Sequence, residues 1–232
     1  DDYSLFMAIK DHYGGKSWQE WNSELRLRYW DAIQNAKEKY AQDIEFWKML
    51  QYLFFKQWKK LKEYANEKGV EIIGDMPIYV ALDSADVWAN PEYFLLDESL
   101  QPTAVAGCPP DGFSDDGQLW GNPLYNWDIM REREYDWWIN RFRFCAETFD
   151  VTRVDHFRGF DTYYAIPYGD ANARNGTWLN GPGIEFLRIV ENRIGKKNII
   201  AEDLGFLTNS VRTMLHESGF PGMKVLEFAF ES

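Results

Sequence analysis

The sequence predicts an α/β fold in which short parallel strands are covered by helices. Four short, mostly apolar segments alternate with helical patterns in the order strand, helix, strand, helix, strand, helix, strand, which is typical of parallel sheets. Both an open doubly wound sheet and a (β/α)8 TIM barrel fit this order. No Gly-rich phosphate motif such as GxGxxG follows a strand, which disfavours the nucleotide-binding alternative.

The first third of the chain is predicted to be helical. A short helix begins the chain and stops at Gly14-Gly15, and two further short helices follow within residues 17–43. A long helix is predicted from Asp43 to Lys68, because apolar residues recur every three to five positions and Gly69 occupies the place of a C-terminal cap.

Strands and helices alternate in the remainder of the chain. The predicted strands are 70–80, 150–157, 197–205 and 223–230, and the predicted helices between them are 131–149, 181–195 and 208–219. Gly195 and Gly219 stop the last two helices, and Thr208 or Asn209 caps the final one. Four strands are half of what a closed eight-stranded barrel needs.

Two segments are predicted as insertions in this pattern. Residues 17–68 form a helical insertion, and residues 81–130 form a long loop insertion that is rich in Pro, Gly and Asp. Within the second, residues 106–120 are expected to be a lid loop, because long loops in compact domains usually cover or bind ligands.

Composition excludes several classes of function. The net charge of −12, from 37 acidic and 25 basic residues, argues against nucleic acid or an anionic membrane as a partner. No apolar run is long enough for a transmembrane helix, and no signal peptide is recognisable, so a cytoplasmic location is expected. The two cysteines lie outside any metal-binding pattern; two free thiols are expected, although a bridge between them stays open. No metal or cofactor is expected.

Three predicted strands end in acids: Asp75, Asp155, and the pair Glu202 and Asp203. The carboxyl ends of parallel strands meet at one mouth, where active sites collect. Each acid alone also has an ordinary explanation: Arg153 and Asp155 could be an ion pair that orients a loop, Glu202 could cap a helix, and Asp75 could stabilise a turn. The occurrence of all these acids at one edge of the predicted sheet favours an active site.

Side-chain alternation sharpens this hypothesis. Arg153 and Asp155 are two residues apart and project from the same face, so the guanidinium should keep the carboxylate ionised, as a nucleophile requires. Val154 and His156 should point the other way. Glu202 follows an apolar run, and desolvation there should favour the neutral form that a general acid needs. Two carboxyls in contrasting environments meet the requirement of glycoside chemistry. The aromatic content of 17% also suits sugar binding.

Four stretches resemble the amylomaltases, the 4-alpha-glucanotransferase family of the alpha-amylase clan, which includes the plant disproportionating enzymes. They are GDMPIYVALDSADVWANPEYF, AGCPPDGFSDDGQLWGNPLYNWD, RVDHFRGF and IIAEDLG. They occur in the order of the family, and the resemblance runs over nearly the whole chain. The resemblance therefore implies a barrel enzyme that acts on α-1,4-glucans.

The resemblance also implies roles for individual residues. It makes Asp155 the nucleophile, Arg153 the arginine that orients it, and Glu202 the general acid/base. The residues with an implied role in substrate binding are Asp75, His156, Asp111, Phe113, Trp120 and Asn122. Phe113 lies where the family's lid carries an aromatic residue against bound sugar, and Gly112 replaces a second aromatic found in some relatives.

Two departures from the family are visible. The family has a third catalytic carboxylate in a His-Asp-Asn motif, and these 232 residues contain no such motif. Family members are also roughly twice as long. The sequence is therefore expected to correspond to the central part of the barrel, about strands three to six, and to be inactive and prone to association when isolated.

The implied reaction is retaining transfer of an α-1,4-glucan segment to the 4-hydroxyl of glucose or another glucan. Malto-oligosaccharides and glucans derived from starch or glycogen are the implied partners. Two alternatives stay open: an alpha-amylase-like retaining hydrolase that uses the same carboxyls, and an inactive glucan-binding fragment that lacks the third acid.

Overall fold

The computed structural model describes residues 2–112, 114–205, 207–226 and 230. The helices are α1 Asp2–His12, α2 Ser23–Arg26, α3 Trp30–Lys39, α4 Ala41–Glu67, α5 Ala85–Ala89, α6 Trp127–Glu132, α7 Asp136–Thr148, α8 Gly183–Ile194 and α9 Asn209–Ser218. The strands are β1 Ile73–Met76, β2 Ala104–Cys108, β3 Gln118–Pro123, β4 Val151–Val154, β5 Thr162–Pro167, β6 Thr177–Asn180 and β7 Ile199–Ala201. Three single turns of 3₁₀ helix lie at Trp18–Glu20, Pro91–Tyr93 and Phe157–Phe160.

The described strands form two sheets. In the first, β1, β4 and β7 are parallel and adjacent in that order, with helical segments between them along the chain. In the second, β3, β2, β5 and β6 are all antiparallel neighbours. The chain is therefore a mixed α/β protein, as the alternation of patterns predicted, but with an antiparallel sheet that the pattern did not predict.

The parallel sheet has one buried face and one more open face. On β4, Thr152 and Val154 are buried, whereas Val151 and Arg153 are half-buried. On β1, Met76 is buried and Asp75 on the opposite face is exposed. The charged side chains of the strand ends therefore project from the more open face.

Much of the aromatic content forms core rather than binding surface. Trp138 of α7 is fully buried, and its ring centroid lies 5.2 Å from that of Phe160 and 5.7 Å from that of Phe186 on α8. Trp127 lies 6.0 Å from Trp138 in a stacked arrangement. Buried aromatic pairs contribute about 0.5–1.5 kcal/mol beyond the area that they bury, so this cluster fixes the helices and the 157–160 turn together.

The structure corrects three expectations. The helix predicted over 131–149 is broken, because Glu134 and Tyr135 adopt positive φ values of 51° and 56° between α6 and α7. Residues 81–130, expected to be a long loop insertion, contain two strands of the antiparallel sheet. A strand was predicted over 223–230, but residues 223–226 are not in a strand, and 227–229 lie outside the described residues. An isolated parallel bridge between Gly222 and Ala201 lies just before this segment.

Asp150 connects three elements at the start of β4. One carboxylate oxygen accepts hydrogen bonds from the Ile72 backbone N–H at 2.8 Å and from the Asn66 amide at 2.9 Å, and Lys62 of α4 lies 3.4 Å from the other oxygen. The hydrogen bond from Ile72, followed by that from Asn66, lowers the pKa of Asp150 below its ordinary value. The ionised carboxylate therefore ties α4 and the entry of β1 to β4.

We expect Asp150→Asn to lower the free energy of unfolding by about 1–2 kcal/mol near neutral pH, because the hydrogen bonds then go to a neutral acceptor and the ion pair with Lys62 is lost. A carboxyl with a lowered folded-state pKa stabilises the fold above its unfolded pKa of about 3.9, and this stabilisation is lost as pH falls through the folded pKa. Denaturant unfolding of variant and parent should therefore differ at neutral pH and converge in acid. Glu67→Gln, an exposed acid at the end of α4, is the matched control. A difference that persists unchanged in acid would contradict this role of Asp150.

Candidate active site

The register of the parallel sheet brings three predicted site residues together. Asp75 on β1 is paired with Arg153 on β4, and Val154 is paired with Ala201 on β7. The ladder continues past the strand ends, since the Glu202 N–H donates to Val154 O at 2.9 Å and the Asp155 N–H donates to Met76 O at 3.0 Å. Asp155 and Glu202 are thus neighbours in register on strands that lie about 4.8 Å apart.

The Arg153 guanidinium bridges two carboxylates. Its Nη1 donates to Asp75 Oδ1 at 2.6 Å, and its Nη2 donates to Asp155 Oδ1 at 2.7 Å. Desolvation lowers the pKa of Arg153, but hydrogen bonding and the charges of both carboxylates outweigh it and raise that pKa above the ordinary value. The prediction that Arg153 and Asp155 project from the same face is confirmed by their hydrogen bond. A permanent cation therefore lies between the two acids.

Glu202 is in a more polar setting than its apolar neighbours suggested. Its Oε2 accepts from the His156 backbone N–H at 2.9 Å, and its Oε1 accepts from the Leu204 backbone N–H at 2.7 Å. The sequence could not indicate that two backbone donors point at this carboxyl. These donors fix its orientation beside Asp155.

His156 reaches Glu202 through its backbone rather than its ring. Its φ of 52° is in the left-handed region, which is uncommon for a residue other than Gly and often occurs at functional sites. The expected strand alternation does not apply to His156, since β4 ends at Val154. This turn directs the His156 N–H at the Glu202 carboxylate.

The His156 ring lies in an aromatic environment. The Trp120 ring contacts it edge-on at a centroid distance of 4.9 Å, and the buried Tyr79 lies 6.4 Å away. Burial, with a smaller contribution from the charge of Arg158, lowers the pKa of His156 to about 4. The ring is therefore neutral near neutral pH, and its buried Nε2 has no hydrogen-bond partner among the described residues.

The β2–β3 hairpin contributes the remaining predicted residues. The Asn122 amide donates to Val80 O at 2.8 Å, so β3 is tied to the segment that follows β1. Trp120 Nε1 donates to Gln118 on the same strand, and its ring lies against His156. Asp111 accepts from the Ser114 N–H at 2.9 Å within the hairpin tip, and Phe113 lies outside the described residues. The structure thus brings Trp120 beside His156, ties Asn122 to the segment after β1, and gives Asp111 a part in shaping the tip.

The structure places three further residues near the site that were not predicted as site residues: Arg158, Cys108 and Tyr79. Arg158 is buried with its guanidinium 4.1 Å from the Trp178 ring centroid, and it donates to Thr162 at 3.1 Å. Cys108 is a half-buried free thiol, and Cys145 is a buried free thiol. Burial raises the pKa of Cys108 to about 11. The charge of Arg158 acts to lower this pKa, and the charges of Asp111 and Glu202 act to raise it. Tyr79 and Arg158 lie within the motifs GDMPIYV and RVDHFRGF, and that position was the available signal.

The arrangement suits chemistry by carboxyl groups. Across the part of the chain that the structure describes, no group of three or more His, Cys, Asp or Glu side chains could hold a metal ion. One carboxylate is paired with a cation and the neighbouring carboxyl is fixed by backbone donors. That pairing is what a covalent displacement at a glycosidic carbon requires.

Comparisons with known proteins agree on one family. The family model described as Glyco_hydro_77, 4-alpha-glucanotransferase, matches residues 1–232. A 4-alpha-glucanotransferase of Clostridium butyricum is 48% identical over 231 residues, covering 99% of this chain and 47% of that protein. A 4-alpha-glucanotransferase of Thermus thermophilus is 47% identical over 231 residues, covering 100% of this chain and 46% of that protein.

A solved structure agrees with the sequence comparisons. The amylomaltase from Streptococcus agalactiae, solved in complex with acarbose, superposes with a TM-score of 0.95 at 47% identity, over 99% of this chain and 46% of that chain. The chain spans about half the length of the curated relatives that it matches. It belongs to glycoside hydrolase family 77, the 4-alpha-glucanotransferases.

Proposed function

We propose that the protein containing these residues is a 4-alpha-glucanotransferase that transfers an α-1,4-glucan segment to the 4-hydroxyl of glucose or another glucan. The observation that carries the proposal is the Arg153–Asp155 pair beside Glu202 at the ends of adjacent parallel strands. Membership of the family supports the same reaction.

In the first step, Asp155 attacks the anomeric carbon of the donor. The electron pair of the breaking glycosidic bond moves to the leaving oxygen, which takes a proton from Glu202. Retaining enzymes hold these two carboxyl groups about 5–5.5 Å apart. Adjacent parallel strands are about 4.8 Å apart, so the register of β4 and β7 is compatible with that spacing.

In the second step, the 4-hydroxyl of an acceptor attacks the anomeric carbon of the glycosyl ester on Asp155. Glu202, now a carboxylate, takes the proton of that hydroxyl, and the Asp155 carboxylate leaves. The two backbone N–H groups that point at Glu202 hold the carboxyl group in position for this proton transfer. Arg153 stabilises the Asp155 carboxylate before attack and again when it is released.

The proposed substrates are malto-oligosaccharides and glucans derived from starch or glycogen, with glucose as an acceptor. We assign substrate binding to the strand-end residues Asp75 and His156 and to the hairpin residues Asp111, Phe113, Trp120 and Asn122. The exposed edge of Trp120 beside His156 offers an apolar surface to a sugar ring. Residues 106–120 would act as a lid that favours an acceptor sugar over water.

For the whole protein we propose a (β/α)8 barrel in which β1, β4 and β7 are consecutive strands, residues 17–68 and 81–130 being insertions. Among the described helices, none has the length and apolarity needed to cross a bilayer. We propose a cytoplasmic location, where the glucan substrates and free thiols such as Cys108 and Cys145 would be found.

In the full-length protein that contains these residues, Asp155→Asn is expected to lower transfer by at least about 10³-fold, because loss of a covalent nucleophile removes the intermediate. Asp128→Asn is the control, since it makes the same change at an exposed acid on α6 that has no proposed role in the reaction. Its side chain is 88% exposed, so the loss of its ion pair with Arg131 should leave transfer close to that of the parent. Disproportionation of maltotriose and melting curves provide the measurements. Asp155→Asn activity within tenfold of the parent, or equal losses in both variants, would contradict the assignment.

Glu202→Gln should impair transfer from maltotriose by roughly 10²–10⁴-fold, the usual contribution of a general acid. A maltosyl fluoride needs no proton on its leaving group, so its consumption should fall far less. Gln offers only one acceptor oxygen to the two backbone donors, and a melting curve will show whether the fold tolerates this. Equal losses on both substrates would rule out the acid role.

A further inference from the structure

Arg153 has a third contact besides its two carboxylates. Its Nε donates to the thioether sulfur of Met223 at 3.2 Å. A thioether is a weak acceptor. However, it meets the guanidinium on the edge that neither Asp75 nor Asp155 reaches, since those acids occupy Nη1 and Nη2. All three kinds of nitrogen of the guanidinium are therefore engaged.

Met223 is itself held by Asp203. The Met223 backbone N–H donates to Asp203 Oδ1 at 2.7 Å, and Asp203 is buried with 9% of its surface exposed. Asp203 directly follows Glu202, so one turn after β7 supplies both the carboxyl beside Asp155 and the acceptor that holds Met223. A charged acceptor makes this hydrogen bond stronger than one between neutral groups.

The backbone on the other side of Met223 is equally constrained. The Ala201 N–H donates to Pro221 O at 2.9 Å, and Gly222 forms a parallel bridge with Ala201. A Cβ on Gly222 would lie only 2.4 Å from Asp203 Oδ2, so the close approach requires glycine. The segment 221–223 is therefore aligned with β7 and with the Asp203 carboxylate.

We propose that Met223, held by Asp203, is a positioning residue that fixes the plane of the Arg153 guanidinium and, through it, the Asp155 carboxylate. The catalytic meaning of this assignment rests on the proposed function. The arginine side chain is long and flexible, and its planar guanidinium group can form both hydrogen bonds to the carboxylates only in one orientation. Contacts on three sides remove the rotation that two exposed carboxylates alone would permit.

The charged groups around Asp155 determine how a displacement of Arg153 would change the pH profile of the reaction. They are Arg153 on its own strand, Asp75 at the end of β1 and Glu202 at the end of β7. Of these, Arg153 is the cation. If it moves away, the remaining acids favour the protonated form of Asp155. The acid limb of the rate profile for glycosyl-enzyme formation should then shift to higher pH.

The test compares Met223→Leu, which keeps the size of the side chain and removes the sulfur, with Met223→Gln, which replaces the sulfur by an amide oxygen acceptor. The rate of glycosyl-enzyme formation from a maltosyl fluoride is measured against pH, because this substrate does not depend on protonation by Glu202. We expect Met223→Leu to lower kcat by up to about 10²-fold, the effect of a small misplacement of a reacting group. KM should change little, the acid limb should move to higher pH, and Met223→Gln should restore much of both.

Hydrogen exchange of the Arg153 Nε–H, followed by NMR, is a readout that does not depend on activity. It should be faster in Met223→Leu than in the parent and slower again in Met223→Gln. Inactivity of the full-length parent would contradict the proposed function but leave this measurement valid. An active parent whose pH profile and Nε–H exchange are unchanged by Met223→Leu would overturn the proposal, as would equal losses in both variants.

Discussion

The site depends on one cation shared between two acids. Asp75 and Asp155 project from adjacent strand ends, where two carboxylates without a counter-charge would repel each other. Arg153, paired in register with Asp75, satisfies both at 2.6 and 2.7 Å. The register of β1 and β4 is thus coupled to the placement of Asp155, since a shift of one residue would turn Arg153 to the buried face.

The remainder of the structure supports this arrangement from several directions. Backbone donors from the left-handed turn at His156 and from Leu204 fix Glu202, while Asn122 ties the antiparallel sheet to the exit of β1. The aromatic cluster around Trp138 and Phe186 holds α7 and α8 against the turn that follows Asp155. Catalytic side chains need supporting contacts of this kind, because side chains at strand ends are otherwise free to rotate.

The sequence predicted what depends on local pattern. Apolar periodicity located α4, α8 and the three parallel strands, and the RVD spacing correctly indicated that Arg153 and Asp155 share a face. It could not indicate the break at Tyr135, since a left-handed residue without Gly or Asn leaves no signal. Nor could it indicate the polar setting of Glu202, whose two donors come from backbone conformation. The short strands of the antiparallel sheet contain Gly, Pro and polar residues, and their stability comes from pairing between distant segments.

In the proposed mechanism, Asp155 forms a covalent bond with the donor sugar. This bond can be detected by trapping the intermediate with a slow-reacting fluorinated glycosyl fluoride, followed by peptic digestion in acid and mass spectrometry. We expect a glycosyl label within Val154–Arg158, where Asp155 is the only carboxylate. A label on Glu202, on Asp75, or on no carboxylate while the protein turns over substrate would contradict it.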